Sequence, residues 1–328
     1  MRILQIVSGR GTNGAVQHCL WLIRELLARG HQVTLLCRPG AWIAVQLTDA
    51  GLEAILESSL ERWPPADLRR IAAELKRYGI QVIHSHMSDA HAFGVLLRLL
   101  TGIPSVATAH NTHIQLHWAF NDRVIAVSEA VRRFHCRYNL VADRRIVTIH
   151  NFLDRQRLAE IDRALLERSH YHFAPGLLFG YVGTVEPRKG LIHLVEAMAQ
   201  VPHGRLLVAG STGINSAYFK RVQRRAQRLG VAQRIDWLGH RQDVPAILSL
   251  LDVLVVPSLR EAFSLVLLEA KASGLPVVAT RSGGPEELIQ DGEDGVLVEQ
   301  ANPAALAMVL NELVVDADRR NALGICAA

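Results

Sequence analysis

The chain has 328 residues, 49% apolar and 20% charged, with a formal net charge of +5. That is the profile of a folded protein with room for two domains, each with its own core. Its longest apolar runs are interrupted by Arg98 and Asp252, so neither is a membrane span, and the apolar start before Ser8 is too short for a signal peptide, which makes the cytoplasm the expected location.

The opening RILQIV (2–7) reads as a buried parallel strand, followed by GRGTNG (9–14) and a helical pattern over 15–28 that puts Leu20, Ile23, Leu26 and Leu27 on one side. Gly30 stands where a helix stop is expected. The G-x-G-x-x-G spacing suits a dinucleotide site, which needs a carboxylate after the second strand. That strand, QVTLLC (32–37), runs instead into Arg38, Pro39 and Gly40. A nicotinamide enzyme thus survives only as an NADP variant using Arg38. Further short strands follow at QVIHSH (81–86), SVATAH (105–110), RVIAVS (123–128) and IVTIHN (146–151). Residues 154–175, polar and ending in proline, read as a linker. A second series then comprises LLFGYVG (177–183), RLLVAG (205–210), RIDWLG (234–239), VLVVPS (253–258), PVVAT (276–280) and GVLV (295–298).

Strands alternating with helices predict an α/β chain of two tandem doubly wound, Rossmann-like parallel-sheet domains, expected at 1–165 and 166–328. Ligands in such sheets bind beyond the carboxyl ends of the strands, so a cleft between two facing domains is the expected site.

Cys19, Cys37, Cys136 and Cys326 form no C-x-x-C pair, and they read as small buried hydrophobes in a reducing compartment. His84-x-His86 and His110-x-x-His113 come without the cysteines or acids of a zinc set, so no metal is expected. Lys220, Arg221, Arg224, Arg225 and Arg228 share a helix face, with Val222, Ala226 and Leu229 turned away. A solvated face explains them, and so does attraction to an anionic surface. Arg69, Arg70, Lys76 and Arg77 pose the same choice. Aromatic residues are not interleaved with these charges, so nucleic acid is not an expected partner.

The chemistry concentrates in the second half. In SLREAFSLVLLEAKASG (258–274) a strand gives way to a loop carrying Glu261, and a helix starts at Ser264 as N-cap, runs from Leu265 to Ala272 and is closed by Gly274. The N–H groups at that start, near Leu265 and Val266, form an anion site. Glu269, just over one turn into the helix, shares the ligand with Glu261; alternatively the two are a surface loop acid and a solvated helix residue. In GTVEPRKG (183–190), Arg188 and Lys189 stand on a strand-end loop, where a diphosphate finds a guanidinium fork and a point charge.

These stretches, with NGAVQHCLWLIRELLARGHQVTLLC, GIPSVATAH, RVIAVSEAV and RIVTIHNFLD, resemble in order the GT-B glycosyltransferases of family 4, marked by two glutamates with seven residues between them. The resemblance implies a retaining transferase (EC 2.4) moving a sugar from a nucleotide-diphosphate sugar to a glycan or lipid-linked acceptor. Cell-surface polysaccharide or lipopolysaccharide synthesis, at the inner face of the plasma membrane, is the setting it suggests. By position it assigns Glu261 to the donor sugar and Glu269 to the ribose. Arg188 and Lys189, on the loop with Gly183 and Thr184, fall to the diphosphate; Phe263, Ser264, Leu265 and Val266 contribute backbone to sugar and phosphate. Gly14 belongs to a turn near the phosphates, and His110 to the reacting centre as acceptor-orienting group or base. The catalytic set is then Glu261, His110, Arg188 and Lys189, with no metal and no cofactor. Retention suggests an enzyme nucleophile, whereas the family is generally argued to use same-face attack, the leaving phosphate helping to remove the acceptor proton. Three departures stand out: Thr184 where an arginine is frequent, Phe152 where glycine usually follows the asparagine, and a C-terminus expected to lack the family's crossover helix. A non-catalytic nucleotide-sugar-binding homologue and another GT-B enzyme, such as an epimerase or hydrolase, are the alternatives. Asp316-Ala317-Asp318, the one D-x-D, reads as incidental.

Overall fold

A computed structural model describes residues 1–61, 65–167, 177–211 and 217–327. The chain divides into two compact units, Met1–Asp154 and Arg155–Ala328.

The first unit is a seven-stranded parallel sheet: β1 (Arg2–Val7), β2 (Gln32–Cys37), β3 (Ala54–Glu57), β4 (Val82–His86), β5 (Ser105–Ala109), β6 (Arg123–Ala126) and β7 (Ile146–Thr148), in the order 3-2-1-4-5-6-7. Helices α1 (Gly14–Ala28), α2 (Trp42–Gln46), α3 (Pro65–Arg77), α4 (Ser88–Thr101) and α5 (Glu129–Tyr138) complete it. Leu4 and Ile6 of β1 belong to a core with Ile71, Leu75, Phe93 and Leu97 of α3 and α4. Val7 packs on the opposite face with Val16, Leu20 and Ile23 of α1. Side chains burying both faces explain why these strands read as nearly continuous apolar runs.

The second unit begins with α6 (Arg155–Glu167) and holds a six-stranded parallel sheet: β8 (Leu177–Val182), β9 (Gly204–Ala209), β10 (Ile235–Gly239), β11 (Val253–Val256), β12 (Val277–Thr280) and β13 (Val296–Val298), in the order 10-9-8-11-12-13. Its other helices are α7 (Leu191–Met198), α8 (Ala217–Arg228), α9 (Val244–Leu250), α10 (Leu265–Ala272), α11 (Pro303–Val315) and α12 (Ala317–Ala327). One core packs Phe179, Tyr181, Leu206 and Val255 with α7 and α11; the other packs Leu178, Leu254 and Val277 with α9 and α10.

Four expectations need correction. The units part between Asp154 and Arg155, not between 165 and 166, because α6 packs on α9 and α10 of the second unit; the remainder of the expected linker, 168–175, lies outside the described residues. Strand β3 has no counterpart in the sequence reading, being a four-residue edge strand of alternating burial. Only Cys19 and Cys37 are buried; desolvation, the larger cause, together with the neighbouring Glu57 carboxylate pushes the Cys37 thiol up to about 12. Asp316 has a structural use, its Oδ1 accepting a hydrogen bond from the Arg319 N–H at 2.8 Å between α11 and α12.

Candidate functional site

Each sheet order reverses direction once, between β1 and β4 and between β8 and β11. Open α/β sheets bind ligands at such switch points, in the crevice beyond the strand ends. The loops leaving β8 and β11 carry Arg188, Lys189 and Glu261.

Lys189 closes a short helical turn, Pro187–Lys189, that Gly190 ends at φ +67°. A Cβ on Gly190 would stand 1.8 Å from the carbonyl oxygen of Pro257, so only glycine lets the two loops approach this closely. The contact is reinforced where the Leu259 N–H donates to the Arg188 carbonyl at 2.8 Å. Lys189 Nζ then reaches Glu261 Oε2 at 2.5 Å, and the Ser258 hydroxyl donates to the same oxygen at 3.1 Å. Glu261 is held from the other side as well: its N–H donates to the Ser282 carbonyl and its carbonyl accepts from the Gly284 N–H. Arg188, about half exposed, pairs with Glu186 at 2.7 Å, and the Thr184 hydroxyl donates to Glu186 at 2.7 Å.

Ser264 occupies the N-cap position of α10 but does not cap. Its φ of 125° is unusual for a non-glycine residue, its side chain makes no cap hydrogen bond, and its buried Oγ has no partner among the described residues. Such a conformation costs on the order of 1–3 kcal/mol and persists where the surroundings hold it. Phe263, buried beside it, lies under Gly284, where a Cβ would come within 2.5 Å of the Phe263 Cα. The first amides of α10, those of Leu265 and Val266, thus have neither an intrahelical acceptor nor a side-chain cap.

Glu269, expected on a solvated or ligand-facing surface, is 4% exposed. Its Oε1 accepts from Arg157 Nε of α6 at 2.6 Å, and Arg157 also donates to Glu160. Burial pushes the Glu269 carboxyl above its ordinary range, and Arg157 opposes that shift without cancelling it. Arg157 went unrecognised because nothing in its local sequence marks it.

In the first unit, the strand period of two and the parallel register put Gln5, His84 and His86 on one face, with Thr108 beside them on β5. His110 follows β5, and His18 comes from α1. Burial, followed by the neighbouring imidazoles, holds His84, His86 and His110 below the usual histidine range; burial alone takes His18 to about 4. Their tautomers follow from Gln5. Its amide nitrogen can only donate, so His84 Nδ1 accepts at 3.2 Å and His84 Nε2–H donates to Thr108 Oγ1 at 2.7 Å. Its amide oxygen can only accept, so His86 Nε2–H donates to it at 3.0 Å, leaving His86 Nδ1 to accept from His110 Nε2 at 3.2 Å. Neutral His110 therefore keeps its lone pair on Nδ1. A polar Gln5 inside the apolar run RILQIV is the sequence signal for this network.

Gly14 is the first residue of α1, whose cap is Asn13: its Oδ1 accepts from the amides of Ala15 and Val16 at 3.0 and 3.1 Å. Phe152, at the position where glycine is usual, sets its ring 5.6 Å from His18. Gly183, after β8, has φ +157°.

Residues 163–327 match the family model for glycosyl transferases group 1, and residues 12–157 match the model for glycosyltransferase family 4. The chain belongs to the glycosyl transferases group 1. Among the family's curated members, D-inositol 3-phosphate glycosyltransferase of Corynebacterium efficiens is 32% identical over 286 residues, 76% of this chain and 67% of that protein. The corresponding protein of Corynebacterium jeikeium is matched over 66% of its length, just under two thirds. Lipopolysaccharide core biosynthesis glycosyltransferase LpsE of Rhizobium meliloti is 32% identical over 180 residues, 55% of this chain and 51% of that one. The crystal structure of Anabaena Alr3699/HepE in complex with UDP-glucose superposes with a TM-score of 0.86 at 20% identity, covering 100% of this chain and 93% of that one. This likeness establishes the family's GT-B fold: two Rossmann-like units with all-parallel sheets.

Proposed function

We propose that the chain is a retaining glycosyltransferase that takes a sugar from a nucleotide-diphosphate donor and delivers it to a glycan or lipid-linked acceptor. The carrying observation is the convergence at the second sheet's switch point of Lys189, Glu261, Arg188 and the uncapped start of α10. In this reading the diphosphate meets Arg188, Lys189 and the first amides of α10, while Gly183 and Thr184 border it. Charge on the departing diphosphate is stabilised by groups already in place, which needs no metal. As the phosphate recruits Lys189, Glu261 is freed to accept hydrogen bonds from donor-sugar hydroxyls. Glu269, oriented by Arg157, accepts from the ribose. Phe263 walls the sugar side, and the strained Ser264 turns its backbone and unpaired hydroxyl toward the ligand. Gly14, in the turn that opens α1, is assigned to the donor phosphates by its position in the family pattern alone, and His110, with its lone pair on Nδ1, orients the acceptor hydroxyl or receives its proton.

The crystallised HepE complexes with UDP and UDP-glucose support a nucleotide-sugar donor. The Rhizobium relative supports a place in cell-surface polysaccharide or lipopolysaccharide synthesis. No described helix is long and apolar enough to cross a membrane; we place the enzyme in the cytoplasm, meeting lipid-linked acceptors at the membrane's inner face.

Thermal stabilisation by UDP, GDP, ADP, their sugar conjugates and NADP tests the donor site, on the wild type and on Lys189→Ala and Glu269→Gln. One nucleoside diphosphate is expected to raise the melting temperature, and both substitutions to reduce the shift. A shift with NADP alone, untouched by either substitution, would refute the transferase reading.

A further inference from the structure

We infer that His18, His86 and His110 form a binding site for one divalent transition cation of the zinc class, and that its occupancy withdraws His110 from catalysis. The metal site does not depend on the proposed transfer reaction; the inhibitory consequence rests on it.

The donor atoms of the three imidazoles all lie within 4.8 Å of one another. His86 Nδ1 and His110 Nε2 are 3.2 Å apart, close to the roughly 3.4 Å that separates two nitrogens bound tetrahedrally to zinc at about 2.0–2.1 Å. His18 completes the triangle, its ring centroid 5.1 Å from that of His110 and 5.9 Å from that of His86. Its Nδ1 is buried and has no hydrogen-bond partner among the described residues, an uncompensated polar atom that a cation would satisfy.

The surroundings suit the ligands. Metal-bound histidines are commonly oriented by a hydrogen bond from their other nitrogen, and His86 has one: Nε2–H donates to Gln5, which leaves Nδ1 as the lone pair facing the cluster. Burial keeps all three rings neutral, the form a cation requires. His18 and His86 are buried and His110 is half-buried, so access comes from the His110 side, while the Phe152 ring lies edge-on to His18. Three neutral imidazoles without a carboxylate favour zinc, cobalt or nickel over magnesium or calcium, which prefer oxygen ligands.

Binding has a defined consequence for His110. In the metal-free network its proton sits on Nε2, donated to His86, and Nδ1 is basic. Coordination through Nε2 moves that proton to Nδ1, so no proton is released overall and the base is lost. The cation is therefore an inhibitor of the proposed transfer, which itself uses no metal.

The test uses the full chain, freed of metal by chelation and titrated with Co²⁺ as a spectroscopic probe, with Zn²⁺ in competition. The expected result is one Co²⁺ per chain, with the strong visible bands of four- or five-coordinate cobalt, displaced by Zn²⁺. His18→Ala should abolish these bands. Gln5→Leu keeps every ligand and should weaken binding by about 10–100-fold; circular dichroism verifies that each variant is folded. Weak six-coordinate bands, or binding of equal affinity in a folded His18→Ala variant, would overturn the site. Zinc that binds there yet leaves sugar transfer unaffected at full occupancy would overturn the inhibitory role. Absence of transfer by the metal-free chain would count against the proposed function and not against the site, since the cobalt spectrum requires no turnover.

Discussion

Gly190 offers a decisive perturbation, because its left-handed conformation and its lack of a Cβ are both in use. At φ +67°, an alanine pays the left-handed penalty of about 1 kcal/mol. Its Cβ would also stand 1.8 Å from Pro257 O and 2.9 Å from Pro257 C. Those are backbone atoms, so one of the two loops must shift, at a further cost of about 1–3 kcal/mol. Gly230, at φ +69° with nothing within 4 Å, supplies the control. Gly230→Ala should cost about 1 kcal/mol and Gly190→Ala about 3 kcal/mol, equivalent to falls of about 2–4 °C and 6–12 °C in Tm for a domain of this size. Urea unfolding of both variants measures the difference. Because the shift separates Arg188 and Lys189 from the 257–261 loop, Gly190→Ala should also weaken nucleoside diphosphate binding, and Gly230→Ala should not. Equal destabilisation, within about 0.5 kcal/mol, would refute the close-approach argument.

Glu269→Ala leaves Arg157, its side chain 11% exposed, without its main carboxylate; with Glu160 still bound, the loss should fall toward the low end of about 3–5 kcal/mol. Pairing it with Arg157→Leu should recover much of that loss in denaturation experiments, and a cost below about 1 kcal/mol for Glu269→Ala alone would show the pair to be unimportant. Asn13→Ala removes the α1 cap and should cost about 1 kcal/mol in the same assay, with little change for Asn13→Ser. His135 is buried and held at about 4, chiefly by desolvation. The unfolded chain therefore binds the extra proton between about pH 6.5 and 4, and stability present above 6.5 falls across that window by up to about 3 kcal/mol. His135→Gln should flatten this part of the acid limb in melts taken from pH 7 to 4, and an unchanged slope would show that His135 is not held neutral in the fold.

The two α/β series were legible because a parallel strand covered on both faces leaves a short Val/Ile-rich run between helical stretches. RILQIV, QVTLLC and VLVV all became strands within a residue or two of expectation. The edge strand AILE, paired on one side only, carries too little of that pattern to stand out. Helix α10 runs from Leu265 to Ala272 with Gly274 at φ +65°, as read, because local propensity and a positive-φ stop decide it. The placement of the charged residues on the mouth loops was legible for the same local reason: Arg188, Lys189 and Glu261 follow strand ends, where parallel sheets bind ligands. Their mutual arrangement was not, since the Lys189–Glu261 bond depends on how closely Gly190 lets two loops approach.

What the sequence by itself determined is local: strand and helix identity, the two-series architecture, and which loops carry charge at strand ends. Only the tertiary structure decided the partners. Glu269 faces Arg157 across 112 positions of chain, a pairing created by α6 packing on α10. The histidines behave alike. Spacing along the chain singled out His84 with His86 and His110 with His113, yet parallel register joins His86 to His110, and the seat of α1 on the sheet brings in His18. A period of two tells which face a strand residue takes. Which residues of other elements share that face is set by register and helix packing, and those are determined by the whole core at once.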